Sequence, residues 1–203
     1  MQKAIILPGH KLADRRLSIP NTYSDGQATY AAVMGSLDEA GHFIPLEARY
    51  RPSIGDSVVG LVTDARGPGY ALDLNTPSSA FVHSKFLRVR LDIGNVIVGK
   101  VMAVSEIGEV DLEDIMQLPK GEIIQVPPAK VPRIIGRKNS MVDLIKNYTG
   151  GEIFVGNNGY VWISEKNNIP LAIESIEMII KKAHTTGLTD AMQAFLESKK
   201  SQK

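Results

Sequence analysis

The chain has 203 residues, is 43% hydrophobic and carries a net charge of +1, which allows one ordinary domain or two to three small ones with real cores. It has no cysteine and four scattered histidines, His10, His42, His83 and His184; disulfides, iron–sulfur clusters and cysteine-ligated zinc are excluded, and no HxxxH or HExxH spacing points to a catalytic zinc. No apolar run reaches the roughly 18 residues of a membrane helix and the apolar start is too short for a signal-peptide core, so a cytoplasmic location without membrane association is expected.

Residues 1–51 read as a small β domain. Pro8-Gly9 and Ser24-Asp25-Gly26 are turn signals. A strand over Ala28–Gly35 and another over Phe43–Leu46 flank a turn at Asp38-Glu39-Ala40-Gly41. So little apolar material makes a weak core, and this domain is expected to lean on a neighbour or a partner subunit. Its net charge is +1.

Residues 52–118 carry strands at regular spacing: Ser57–Val62, Tyr70–Leu74, Ala80–His83, Asn95–Val104 and Glu109–Leu112. Alternation sets Tyr70, Leu72 and Leu74 on one face. Five short strands in so few residues predict a small closed barrel with the strand count of the OB-fold. The net charge here is −4.

Residues 119–203, with a net charge of +4, change character. Val126-Pro127-Pro128 and Val131-Pro132 mark a junction or an edge strand. The order that follows is strand, helix, loop, helix, two strands, helix. Ser140 and Asp143 suggest a capping box; Met141, Leu144, Ile145 and Tyr148 share a helical face, and Gly150-Gly151 ends it. Glu152–Val155 and Tyr160–Ile163 are strands around the loop Gly156-Asn157-Asn158-Gly159. Pro170 suits the first turn of a helix burying Ala172, Ile176, Ile179, Ile180 and Ala183. The tail from Thr189 predicts a short amphipathic helix through Phe195 and Leu196.

Thr22-Tyr23-Ser24-Asp25-Gly26 with Val33-Met34-Gly35, Arg49-Tyr50-Arg51-Pro52 before Ile54-Gly55-Asp56, Ile134-Ile135-Gly136, and Val155-Gly156-Asn157-Asn158-Gly159 with Val161-Trp162-Ile163 occur in that order. This ordered set resembles the archaeal exosome cap subunits that combine N-terminal, S1 and KH domains. The resemblance covers nearly the whole chain. It implies a multidomain β plus α+β fold: a small N-terminal β domain, a five-stranded OB-type (S1) barrel, and a C-terminal KH domain. The zinc-ribbon cap subunit of similar layout does not fit a chain without cysteine.

The resemblance also implies a function. It is that of a non-catalytic cap subunit without cofactor or metal, binding single-stranded RNA and docking through its N-terminal domain on a ring of RNase PH-like subunits. Three copies would capture RNA 3′ ends, adenine-rich tails among them, for 3′-to-5′ phosphorolytic degradation. KH domains hold single strands on a Gly-x-x-Gly loop; here Gly136-Arg137-Lys138-Asn139 has asparagine at the second glycine, a residue that tolerates the left-handed conformation.

The residues themselves supply cations and aromatics. Arg137 and Lys138, ahead of a helix beginning at Ser140, form a phosphate cradle of two charges and unpaired N–H groups; a solvated turn is the plainer alternative. In the barrel, Tyr70 and His83 are candidates for base stacking, Phe81 is read as core, and Arg66, Lys85, Arg88 and Arg90 as RNA-reaching cations. The barrel's negative charge opposes strong binding by it alone. Gly156, Asn157, Asn158 and Gly159 are read as structural, holding the hairpin or a neighbouring domain, and Trp162 as packing against the helices. Asp111, Glu113 and Asp114, and with them Asp92, invite a metal-site reading, but no further ligand pattern accompanies them and a solvated acidic edge is the better account. No nucleophile–base pair, P-loop or dinucleotide fingerprint is present. Three alternatives stand beside this reading: a free-standing S1–KH RNA-binding protein in translation or ribosome assembly, a hydrolase using the edge around Asp111, and a purely architectural cap.

Overall fold

The computed structural model describes residues 5–200 apart from 18, 20, 38–40, 42, 47–48, 78–79, 88, 184 and 186; the side chains of Ile44 and Phe86 also lie outside the description. The chain divides into two compact units, Met1–Arg49 and Tyr50–Lys203.

Among the described residues the first unit holds six strands: β1 (Ile5–Ile6), β2 (Lys11–Ala13), β3 (Thr22–Ser24), β4 (Thr29–Ala31), β5 (Gly35–Leu37) and β6 (Phe43–Pro45). They form two antiparallel sheets, ordered β1-β5-β6 and β2-β4-β3. The pattern predicts one strand over Ala28–Gly35, but the chain breaks after Ala31 and its halves join different sheets. The turn expected at Asp38-Glu39-Ala40 falls outside the described residues. Asp25 organises the turn at Ser24-Asp25-Gly26. One of its carboxylate oxygens accepts from the Gln27 and Ala28 amides, and the other from the Tyr30 hydroxyl. The two amides, Ala28 foremost, and then Tyr30 hold its carboxyl below the usual aspartate value.

The second unit opens with the barrel: β7 (Ser57–Arg66), β8 (Gly69–Asp73), β9 (Ala80–His83), β10 (Val96–Val104) and β11 (Val110–Gln117). The order β11-β10-β7-β8-β9 is antiparallel throughout. Alternation drives the curl, because one face of each strand is apolar. Val58, Val62, Tyr70, Leu72, Ala80, Val82, Ile97, Val101, Val110 and Leu112 face a single core closed by Leu74 and Leu91. The predicted closed barrel is a curled open sheet: among the described residues β9 and β11 share no hydrogen-bonded ladder, the partly open form of the OB-fold.

A three-stranded antiparallel sheet follows, and among the described residues four α-helices accompany it, packed on its Val161 and Ile163 face. The elements are β12 (Gly121–Gln125), α1 (Val131–Ile135), α2 (Ser140–Thr149), β13 (Ile153–Val155), β14 (Tyr160–Ser164), α3 (Ile169–Lys182) and α4 (Leu188–Lys200), with strand order β12-β14-β13. Met141 and Ile145 of α2, Ala172, Ile176 and Ile179 of α3, and Met192 and Leu196 of α4 bury together on Val161 and Ile163. Asn168 caps α3 by accepting from the Leu171 amide, with Pro170 in the first turn; Gly150, at φ +86°, ends α2. Among the described residues no helix is long and apolar enough to cross a membrane.

Barrel and α/β layer are joined by the loop between β13 and β14. β8 pairs with β7 only from Leu61 onward, so Ser57–Gly60 would leave an unpaired edge, a costly feature if buried. The loop supplies the missing partner. The Asn157 amide donates to the Ser57 carbonyl at 2.8 Å. Asn158, fully buried, accepts from the Val59 amide and donates to the carbonyls of Val59 and Leu74. Its side chain thus bridges β7 and the end of β8 as a strand would. Around it the Asn157 amide group donates to Asp56, Asn75 to the Asn158 carbonyl, Gln125 to Asn75, and the Tyr160 hydroxyl to Asp73. A Cβ on Gly156 would collide with the Asn158 amide and with β7. Trp162 does not pack on the helices as its neighbourhood in sequence suggests. The alternation that turns Val161 and Ile163 toward the helices turns Trp162 the other way, onto Val59 and Leu118.

Candidate nucleic-acid interface

The outer face of β9 carries the first group. Ala80 and Val82 point into the barrel, Phe81 and His83 out of it. Phe81 is therefore not core: it is 37% exposed and stands edge-on to His83, with ring centroids 5.1 Å apart. A Cβ on Gly69, the residue across the ladder from His83, would collide with the Val82 carbonyl before it met the tip of the Phe81 ring, so glycine here lets the two backbones approach closely and the aromatic lie across the strands. Lys85 is exposed in the 3-10 turn Ser84–Phe86 that follows.

Tyr70 corrects the expectation in the opposite direction. Its register partner is Val82, an inward residue, and it is only 8% exposed. Its hydroxyl accepts from the Leu91 amide at 3.2 Å. Tyr70 offers no open face for a base. It forms instead the floor of a cleft of about 460 Å³ whose rim includes Arg66, Ser84, Arg90, Asp92 and Ile93. Arg66 is tied through Nε to Asp64 at 2.6 Å. Arg88 lies outside the described residues.

The second group sits on the α/β layer. Gly136 has φ +74°, and a Cβ there would meet the Met141 amide nitrogen at 2.7 Å, so the loop requires glycine. Arg137, Lys138, Asn139 and Ser140 are exposed. Lys138 and Asn139 are both left-handed, at φ 51° and 66°. The expected capping box is absent: Asn139, not Ser140, holds the cap position, and its side chain makes no capping bond to α2. The Ser140 amide donates to the Arg137 carbonyl, so the turn closes on itself and sets the Arg137 and Lys138 cations at the positive start of α2. Gly156, Asn157, Asn158 and Gly159 stand apart from both groups, turned onto the barrel as described above.

Sequence reasoning misses Asp64, which holds Arg66 at the cleft, and weighs Asp92 only as part of an acidic edge, not as a neighbour of two arginines. The i, i+2 spacing of Asp64 and Arg66 on one strand face is a signal that finds the first pair. Nothing local announces that Asp92 shares a cleft with Arg66.

The exosome complex component Rrp4 of Pyrococcus abyssi is 36% identical over 221 aligned positions, covering 97% of this chain and 83% of its own length. The chain belongs to the exosome Rrp4 family. The Rrp4 proteins of Picrophilus torridus, 35% identical over 98% of this chain and 94% of their own, and of Sulfolobus acidocaldarius, 31% identical over 97% and 89%, agree. Residues 121–169 match the KH domain family, which places the Gly136 loop and the Asn158 loop inside one KH unit. A crystal structure of a provisionally assigned exosome complex RNA-binding protein superposes with a TM-score of 0.67 at 28% identity, over 76% of this chain and 98% of that one.

Proposed function

We propose that this chain is a non-catalytic RNA-binding cap subunit of an exosome, delivering single-stranded RNA to a degrading ring. The observation that carries this is the similarity to exosome Rrp4 proteins across 97% of the chain, including the barrel and the KH unit together. The exposed Phe81–His83 pair suits sequence-tolerant base stacking, with Lys85, Arg66 and Arg90 beside it as cations. Arg137 and Lys138 at the start of α2 supply a second phosphate-binding point. Each site is modest, and the barrel's acidity weakens it further. Effective capture comes from repetition: three copies around one pore raise the local concentration of sites without tight binding by any of them. In this reading the N-terminal unit docks on RNase PH-like ring subunits. RNA 3′ ends, adenine-rich tails included, are guided inward for 3′-to-5′ phosphorolysis.

Reconstitution tests it. The chain mixed with RNase PH-like ring subunits is expected to give a native mass equal to a hexameric ring plus three copies, and to speed phosphate-dependent shortening of an adenine-tailed RNA. A chain that stays free of the ring and leaves the shortening rate unchanged overturns the proposal in favour of a free-standing S1–KH RNA-binding role.

A further inference from the structure

The cleft over Tyr70 adjoins the Phe81–His83 strand, with Ser84, the residue after His83, in its lining, and has its own chemistry. Its volume, about 460 Å³, falls within the range of small-ligand sites and suits one nucleotide rather than a duplex. Two guanidinium groups border it. Arg66 is held by Asp64 through Nε with its side chain largely exposed, so its two terminal nitrogens are available as a fork matched to phosphate oxygens. Arg90 is exposed and makes no ion pair with any described residue.

Asp92 is the discordant member. A carboxylate beside two phosphate-binding arginines repels the phosphate they attract, unless the ligand brings a donor to meet it. The Asp92 position is well defined: its amide donates to the Asn95 side chain at 3.0 Å, and the Asn95 amide returns to the Asp92 carbonyl at 3.0 Å. Asn95 is held from a third direction by Gln117. In a nucleotide the donor nearest the phosphate is the ribose 2′-hydroxyl, which occurs at every position of RNA and at none of DNA.

We infer that this cleft is a one-nucleotide RNA subsite in which Arg66 and Arg90 hold the phosphate and Asp92 accepts the 2′-hydroxyl, so that the chain distinguishes RNA from DNA. The inference rests on the RNA-binding reading above and adds sugar recognition to it. Asp64 acts as a positioning residue, presetting the Arg66 fork.

The full-length chain is titrated, by fluorescence anisotropy, with a labelled oligoribonucleotide and the oligodeoxyribonucleotide of the same sequence. The parent is expected to prefer RNA. Asp92→Ala is expected to reduce the RNA-to-DNA affinity ratio roughly tenfold, the worth of one hydrogen bond to a charged group, chiefly by weakening RNA. Arg90→Ala is expected to weaken both strands alike. Because Asp92 is exposed, these variants keep the fold, which unchanged Trp162 fluorescence verifies. If Asp92→Ala strengthens RNA and DNA equally, the carboxylate is only a repulsive charge and the inference fails. If the ratio holds while oligocytidine loses affinity relative to oligouridine, Asp92 meets a base amine and sugar recognition fails. A parent that binds RNA and DNA equally overturns this inference alone; a parent that binds neither overturns the RNA-binding reading with it.

Discussion

Asn158→Ala removes the side chain that bridges barrel and KH unit. Three hydrogen bonds disappear, from the Val59 amide at 3.2 Å and to the Val59 and Leu74 carbonyls at 2.7 and 2.9 Å. The position is fully buried, so water does not replace them readily. At about 1 kcal/mol for each bond, the variant is expected to lose roughly 3 kcal/mol, a large share of a typical domain's stability. Asn158→Asp sharpens the test. One carboxylate oxygen still accepts from Val59, but the other faces two carbonyl oxygens where a donor stood. That conflict raises the folded-state pKa of the introduced carboxyl. The variant is therefore expected to be less stable than Asn158→Ala at neutral pH, and to regain stability as pH falls through the raised value and the carboxyl becomes a donor. Trp162, the single tryptophan, packs on Val59 in the same interface, so urea unfolding followed by its fluorescence reads the region directly. A loss below about 0.5 kcal/mol for Asn158→Ala, or an Asn158→Asp midpoint that ignores pH, refutes the bridging role.

Three further outcomes are expected. Lys138→Gly relieves a left-handed lysine at φ 51° and should stabilise the fold by about 0.5–1 kcal/mol. It should also weaken RNA binding and lower the salt slope by about 0.7, the contribution of one phosphate contact to a single strand; an unchanged slope removes Lys138 from the interface. Gly136→Ala places a Cβ against Met141 at a φ of +74° and should cost at least about 1 kcal/mol in urea unfolding. Burial first, and then the hydrogen bond to Asp73, push the Tyr160 hydroxyl up to about 12. A tyrosine raised in the fold contributes fully below its ordinary value of 10 and loses that contribution as pH climbs through 12. Tyr160→Phe should thus flatten the alkaline decline of the urea midpoint between those values, while lowering the midpoint at neutral pH.

Local pattern determined much of this protein. Period-2 alternation over Tyr70, Leu72 and Leu74 marks a barrel strand, and the 3.6 period of Ala172, Ile176 and Ile179 marks the buried face of α3, because a strand or helix exposes its periodicity residue by residue. Gly150 and Pro170 mark helix ends for equally local reasons. The ordered motifs over nearly the full length identify the family without any coordinates.

What alternation cannot say is which side of a strand faces in. Phe81 and Tyr70 are both aromatics on apolar strands; only the register that sets Tyr70 beside Val82 puts one inside and the other out. Trp162 is turned toward the barrel by the same parity. The bridge made by Asn158 joins residues 99 and 84 positions away, a distance at which sequence carries no geometric signal. The cleft that gathers Arg66, Arg90 and Asp92 exists only because the sheet curls. Side-chain type and spacing are properties of the chain, but convergence and burial are properties of the packed fold, and these two decide which polar groups meet a ligand and which hold the fold together.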